Sequence, residues 1–345
     1  MPEKKMEYTR LGTSGLKISK VILGAMSYGS SDWQEWVLDE EKALPLLKHA
    51  YDVGINTWDT ADIYSHGRSE EIIGKALKKY EIPRNKVVIL SKCYFGVSEG
   101  GKQLPIAASS TNDGDMVNCV GLSRKHILDA VEKSVARLGT YIDVLQIHRL
   151  DRDTPRAEIM KALNDVVESG KVRYIGASSM AAWEFQTLQN IAAKNGWHQF
   201  ISMQNYYNLL YREEEREMIP YCRDTGVGLI PWSPIARGVL ARPYGQRDTK
   251  REGSDKFLQN LIRSRENEVD KAIIDRVEEI AKKHGVSMAQ IATAWCLSKQ
   301  FVNPIIGLSS TDRIDQAVAA IKFKLPEEDI KYLEEPYMPK QIAGY

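Results

Sequence analysis

Ile142-Asp143-Val144-Leu145-Gln146-Ile147-His148 is an apolar β-type run that closes on an imidazole, and a helical pattern lies on either side of it. Upstream, Ile127, Val131, Val135 and Leu138 recur at helical spacing behind Ser123, a residue suited to cap a helix N-terminus. Downstream, 156–169 has the same period. Working outward, strand-like runs recur at 21–24, 55–59, 87–92, 142–148, 172–177, 200–204, 227–231 and 303–307. Helical patterns separate them near 39–53, 69–80, 123–138, 156–169, 181–195, 213–224, 268–298 and 311–320, and Ser287-Met-Ala-Gln290 has capping-box form.

Val87–Leu90, Val144-Leu145 and Ile201 belong to continuous apolar runs, as expected for strands covered on both faces. Eight β/α repeats in 345 residues predict an α/β fold, a (β/α)8 TIM barrel, with a doubly wound sheet as the alternative. An N-terminal β-hairpin is expected at about 6–20, with Gly12 and Gly15 at its turn. Two irregular insertions, about 94–121 and 235–267, follow strand ends on the side where barrels carry their sites. No linker divides the chain, so residues 1–345 read as a single barrel domain.

Composition excludes several classes of function. Net charge is +1 with both signs well mixed, which gives no electrostatic case for nucleic acid or an acidic membrane surface. Glu213-Glu214-Glu215 reads as the start of a solvated helix. No apolar run approaches the roughly 18 residues of a membrane span, and the charged start Met1-Pro2-Glu3-Lys4-Lys5 lacks a secretory apolar region. Cys93, Cys119, Cys222 and Cys296 are scattered without a C-x-x-C pair, which points to reduced thiols in a cytoplasmic protein. The six histidines show no metal spacing, so no metal is expected. Gly96-Val-Ser-Glu-Gly-Gly101-Lys102 imitates a phosphate loop, but Gln103 stands where Ser or Thr would hold magnesium, and Leu104-Pro105 replaces a helix start. Gly226 and Gly228 lack the third glycine of a dinucleotide fingerprint, and no G-x-S-x-G elbow occurs.

Four polar residues stand where strands are expected to end: Asp59, Tyr64, Lys92 and His148. Each alone has an ordinary role at a barrel rim. A carboxylate, a phenol, an ammonium and an imidazole at the ends of the second, third and fourth strands together make an acid–base site.

The stretch Asn56-Thr-Trp-Asp-Thr-Ala-Asp-Ile-Tyr64, with Gly67-x-Ser-Glu70 and Gly74-x-Ala-Leu77 after it, resembles the signature of the aldo-keto reductases. The resemblance continues through Ile89–Lys92, Val144–His148, Gly170–Ser179, Gln204–Asn208, Pro231–Pro234 and Ile305–Gly307, covering about 8 to 325. Trp-Ser-Pro and the long insertions are most similar to the branch of aryl-alcohol dehydrogenases.

This resemblance implies reduction of an aldehyde or ketone by hydride from NADPH (or the reverse with NADP+). Tyr64 would be the proton donor, Lys92 would favour the phenolate, Asp59 would fix the lysine, and His148 would orient the carbonyl. A free phenol titrates at about 10, so the pull of a neighbouring cation matters. The implied cofactor residues are Asp59, Ser178, Ser179, Gln204 and Trp232, with Ser233, Pro234, Ile235, Ala236, Arg237 and Gly238 over the pyrophosphate. Gly307, Ser309, Arg313 and Gln316 would hold the adenosine phosphate. Many relatives place a lysine at Gly307, and Arg237 and Arg242 are the residues that could replace its charge. Ser179 departs from the usual asparagine. Tyr28, Tyr64 and Trp33 are expected to line the mouth. The partner implied is a small carbonyl compound, with oligomeric state open. The alternative is a regulatory module like the potassium-channel β-subunits, which typically carry asparagine where His148 stands.

Overall fold

β-branched and apolar runs too short for a helix become parallel strands, and the amphipathic stretches between them pack outside. The computed structural model describes residues 6–98 and 100–345. The charged start 1–5, and Glu99 of the Gly96–Lys102 run, lie outside the described residues. The strands are β1 (Ile22–Gly24), β2 (Thr57–Asp59), β3 (Val88–Cys93), β4 (Ile142–Ile147), β5 (Val172–Ser178), β6 (Phe200–Gln204), β7 (Gly228–Leu229) and β8 (Ile305–Gly307). Neighbours pair in parallel in the order β7-β6-β5-β4-β3-β2-β1-β8. The remaining seam closes where Asn303 N–H donates to Leu229 O at 2.8 Å and Ile305 N–H to Pro231 O at 3.0 Å. The fold is a (β/α)8 barrel.

The helices that bear on the site are α1 (Glu40–Asp52), α2 (Arg68–Lys79) and α3 (Arg124–Leu138). Ser123 caps α3 by accepting from His126 N–H, and Ser287 and Gln290 form the expected capping box. The pattern 268–298 is two helices, Glu268–His284 and Met288–Leu297, parted at the left-handed Gly285. Two expectations change. Glu213–Glu215 is a 3-10 turn with Glu213 and Glu214 buried, not a solvated helix start, and the helix begins at Met218. The second insertion is not wholly irregular, for it contains short helices Lys250–Ser254 and Lys256–Leu261.

Three apolar clusters divide the molecule. One fills the shell between strands and helices. A second, Leu11, Ile18, Ile22, Val88, Leu90, Val144, Ile230 and Ile305, fills the barrel floor. The third, Trp33, Val37, Ala61, Ile63 and Tyr64, lies at the mouth. Leu11 and Ile18 belong to the hairpin Tyr8–Arg10/Lys17–Ser19, which plugs the floor and keeps water from entering below the site. Its turn docks on the approach to β7 through Gly12 at φ +58°, where an added Cβ would lie 2.2 Å from Gly226 O. Gly12→Ala is expected to cost about 2–3 kcal/mol by this overpacking, read as a lower urea midpoint. An unchanged midpoint would show that the plug does not brace the barrel.

Candidate active site

Side chains alternate along a strand, so each inward-facing apolar residue predicts an inward position two residues on. Val88 and Leu90 lie in the floor cluster, and Lys92 continues their face. Val144 leads likewise to Gln146 and His148, Thr57 to Asp59, and Tyr174 to Gly176 and Ser178. The outward residues Trp58, Ile89, Cys93, Leu145 and Ile147 pack in the shell. The result is a polar layer on top of an apolar floor.

The layer centres on one ion pair. Lys92 is fully buried, and its ammonium donates to Asp59 Oδ2 at 2.6 Å, Thr60 O at 2.8 Å and the Tyr64 hydroxyl at 3.2 Å. Those bonds use all three of its donors. Asp59 Oδ1 accepts from Gln146 Nε2 at 3.0 Å and Gln204 Nε2 at 2.9 Å, so both carboxylate oxygens are held. Burial acts against the lysine charge, but Asp59 and Tyr64 more than offset it and hold its pKa above the ordinary lysine value.

At Tyr64 the expected pull of Lys92 toward the phenolate is present but outweighed. Burial raises its pKa above the usual tyrosine value; Lys92 pulls the other way but is countered by Asp59 behind it. The phenol is thus held in its protonated form. His148 is held well below the ordinary histidine value by burial, then by Lys92 and Arg149, so its ring is neutral. It stands edge-on to Tyr64 at 5.8 Å between ring centres and to Phe95 at 5.1 Å. Its Nδ1 is buried without a hydrogen-bond partner among the described residues. A buried lone pair is less costly there than an orphaned N–H, which leaves the proton on Nε2.

Ser178 and Gln204 are tied into this layer: the Ser178 hydroxyl donates to Gln204 O at 2.7 Å. Trp232 donates from Nε1 to Ser179 Oγ at 3.2 Å, and one face of its indole stacks on Tyr206 at 4.5 Å. Ser233, Ala236, Arg237 and Gly238 all have positive φ, which curls the segment after β7 tightly. Pro234 and Ile235 lie within that curl, and Ile235 and Gly238 line a cavity of about 720 Å³. Gly307, Ser309, Arg313 and Gln316 line it from the other side.

The cavity wall has a cationic surplus, with Lys42, Arg237, Arg242, Lys250, Arg251 and Arg313 against Glu35, Asp39 and Asp312. Arg251 is lowered to about 10 by burial and then by Arg237, and Arg242 is lowered by burial and then by Arg313. The surplus of positive charge on this wall gives the cavity an electrostatic preference for anions.

Arg237 lines the same cavity as Gly307, but two of its donors are engaged. Its guanidinium donates to Asp255 Oδ2 from Nε at 2.9 Å and from Nη2 at 2.6 Å, pinning the second insertion. Arg242 has no ion pair among the described residues. Tyr28 likewise does not line the mouth: it is fully buried, and its hydroxyl donates to Leu308 O. Trp33 does belong to the mouth, 6.3 Å from Tyr64 between ring centres.

Two residues of the layer were not singled out from sequence. Gln146 could have been found, two positions before His148 on the same inward face. Thr60 contributes its backbone carbonyl, which leaves no side-chain signal.

The sequence model of the aldo/keto reductase family matches residues 20–337. The chain is 70% identical over 338 residues to versiconal hemiacetal acetate reductase of Aspergillus parasiticus, covering 98% of each. It is 57% identical to a Schizosaccharomyces pombe protein named as an aryl-alcohol dehydrogenase, over 98% of this chain and 97% of that one. It is 54% identical to a similarly named Saccharomyces cerevisiae protein, over 97% and 98%. With the barrel and its buried Asp59–Lys92 pair, this likeness over nearly the full length shows that the chain belongs to the aldo/keto reductase family, whose members are oxidoreductases.

Proposed function

We propose that the chain is an NADPH-dependent carbonyl reductase of the cytoplasm, acting on aromatic aldehydes or ketones and, in reverse, on aryl alcohols. The observation that carries this reading is the donor count at Lys92. Its three N–H groups are spent on Asp59, Thr60 and Tyr64, so the phenol oxygen accepts from the lysine and its own O–H is free for a substrate oxygen. Tyr64 is then the proton donor, and burial, which keeps the proton on the phenol, favours the reductive direction. Neutral His148 offers Nε2–H to the same oxygen and orients it. The complete set of four supports an enzyme over a regulatory module.

NADPH would supply the hydride when bound. The anion-seeking cavity supports that cofactor: Arg313 and Arg242 are suited to its 2′-phosphate, Ser309, Gln316 and Gly307 to the adenosine end, and the curl Ser233–Gly238 to the pyrophosphate. Ser178, Ser179, Gln204 and the indole of Trp232 would hold the nicotinamide, with Asp59 beneath. Arg237 contributes by holding the second insertion through Asp255. Trp33, Phe95 and Ile106 around Tyr64 suit a planar aromatic substrate, which agrees with the names of the two yeast relatives.

A panel of aromatic and aliphatic carbonyl compounds, assayed by NADPH consumption, should show reduction with aromatic members preferred. No turnover across the panel would remove the reading. Tyr64→Phe should lower kcat by about 10³-fold and leave the Kd for NADPH within about twofold. Lost cofactor binding would instead make the tyrosine structural. Arg313→Ala should raise the Kd for NADPH by about tenfold to a hundredfold and change that for NADH little. Equal losses for both would end its phosphate role.

A further inference from the structure

The two residues after Tyr64, Ser65 and His66, both have left-handed backbones, at φ +49° and +48°. Consecutive non-glycine residues in that region are strained, and such strain persists where the surroundings impose it. Each of the two ties down a different loop of the mouth. Ser65 Oγ accepts from Ser30 N–H at 3.0 Å, in the loop that carries Trp33. His66 is buried and reaches into the first insertion: Nδ1 accepts from Ser98 N–H at 2.9 Å, and Nε2 lies 2.8 Å from Leu104 O and 3.1 Å from Leu104 N–H. The neck of this loop is closed by Gly96 N–H donating to Ser109 O at 2.8 Å. Between and beside these ties stand Phe95, against His148, and Ile106, in the mouth cluster with Tyr64.

The bonding pattern selects one protonation state. With Nδ1 bare and the proton on Nε2, the ring accepts from Ser98 and donates to Leu104 O; with the proton on Nδ1 it would only accept from Leu104 N–H and would oppose Ser98, so the first neutral form makes more bonds. An imidazolium would turn an N–H toward the Ser98 N–H, replacing a hydrogen bond by two opposed donors. We propose that neutral His66 is the clasp that holds the first insertion over Tyr64, a positioning residue for substrate selection that lets go when it gains a proton. The proposal rests on the carbonyl-reductase reading for what the loop covers.

Other charges leave the clasp alone. Burial lowers the pKa of His66, the Leu104 carbonyl opposes this in part, and no charged side chain among the described residues contributes. Of the charged neighbours in the chain, Arg68 is engaged by Glu40 and Glu71, and Lys102 is exposed. The folded protein therefore favours neutral His66 more than the unfolded chain does. The stabilisation is present above the ordinary histidine value and is lost as pH falls through and below it. His148 is likewise held below the ordinary histidine value, by burial and then by Lys92 and Arg149, and it is present unchanged in both proteins compared below.

His66→Asn is the informative variant. Asparagine tolerates the left-handed backbone, and its Oδ1 stands near the place of Nδ1, accepting from Ser98 without titrating. Two readouts, compared between wild type and variant from pH 7.5 to 5, test the clasp. The first is amide hydrogen exchange of the segment 96–109 in the free protein, corrected for intrinsic rates. The second is KM and kcat for a benzaldehyde with NADPH saturating.

The wild type should lose protection at Ser98 as pH falls. Its KM relative to the variant should rise about twofold at the imidazole midpoint and about tenfold one pH unit below, with kcat moving less. The variant should keep its protection at every pH. Identical pH profiles for both proteins would overturn the clasp while leaving the reductase reading intact. Absence of any turnover would end the reductase reading alone, because exchange needs neither substrate nor cofactor. If His66→Asn fails to fold, loss of Ser98 protection in the wild type decides for the clasp and retained protection decides against it.

Discussion

The buried ion pair between Lys92 and Asp59 is the interaction on which the rest of the site depends. A lone ammonium in a barrel core would be neutral or absent, because burial opposes its charge. Here the carboxylate holds that charge in place, and the carboxylate is in turn held by Gln146 and Gln204. Removing one partner of such a pair leaves the other uncompensated, at a cost of about 3–5 kcal/mol. The pair is correspondingly enclosed: an apolar floor below, a hairpin plug beneath that, and the ring of Tyr64 above.

The enclosure explains the state of the phenol. A cation beside a tyrosine lowers its pKa in proportion to the field it produces, yet Asp59 stands directly behind Lys92 and cancels much of that field. Burial then decides the balance in favour of the protonated phenol. The lysine still donates to the Tyr64 oxygen and so fixes the direction of its hydroxyl.

The mouth is assembled by long side chains that reach between loops. Arg237 and Arg251 share Asp255, and Arg251 lies 4.2 Å over the ring of Trp36, so the second insertion is strapped to the loop ahead of α1. Ser65 and His66 do the same for the loops that carry Trp33 and Phe95. Each strap crosses from one β/α unit to another. The shape above the cavity is therefore a property of several units together.

Much of this was legible in the chain because it follows from local period. Apolar runs and helix caps placed the strands and helices, and they placed Asp59, Lys92 and His148 at strand ends. The alternation of side chains along a strand, which puts Gln146 on the same face as His148, is also written in the chain. Other features had no local signal. Tyr28 reads as a rim aromatic but is core, and Glu213 and Glu214 read as a solvated cluster but are buried, because both outcomes depend on distant segments. The short helices of 235–267 are too brief for a periodic pattern to identify them. By itself, then, the sequence determined the order of elements, the face each residue takes and the chemical types available at the rim. Only the closed barrel decided that Gln204 meets Asp59 across 145 residues, and that burial outweighs the pull of Lys92 on the proton of Tyr64. Solvent exclusion and long-range hydrogen bonds arise from the whole enclosure, and no local stretch of chain encodes them.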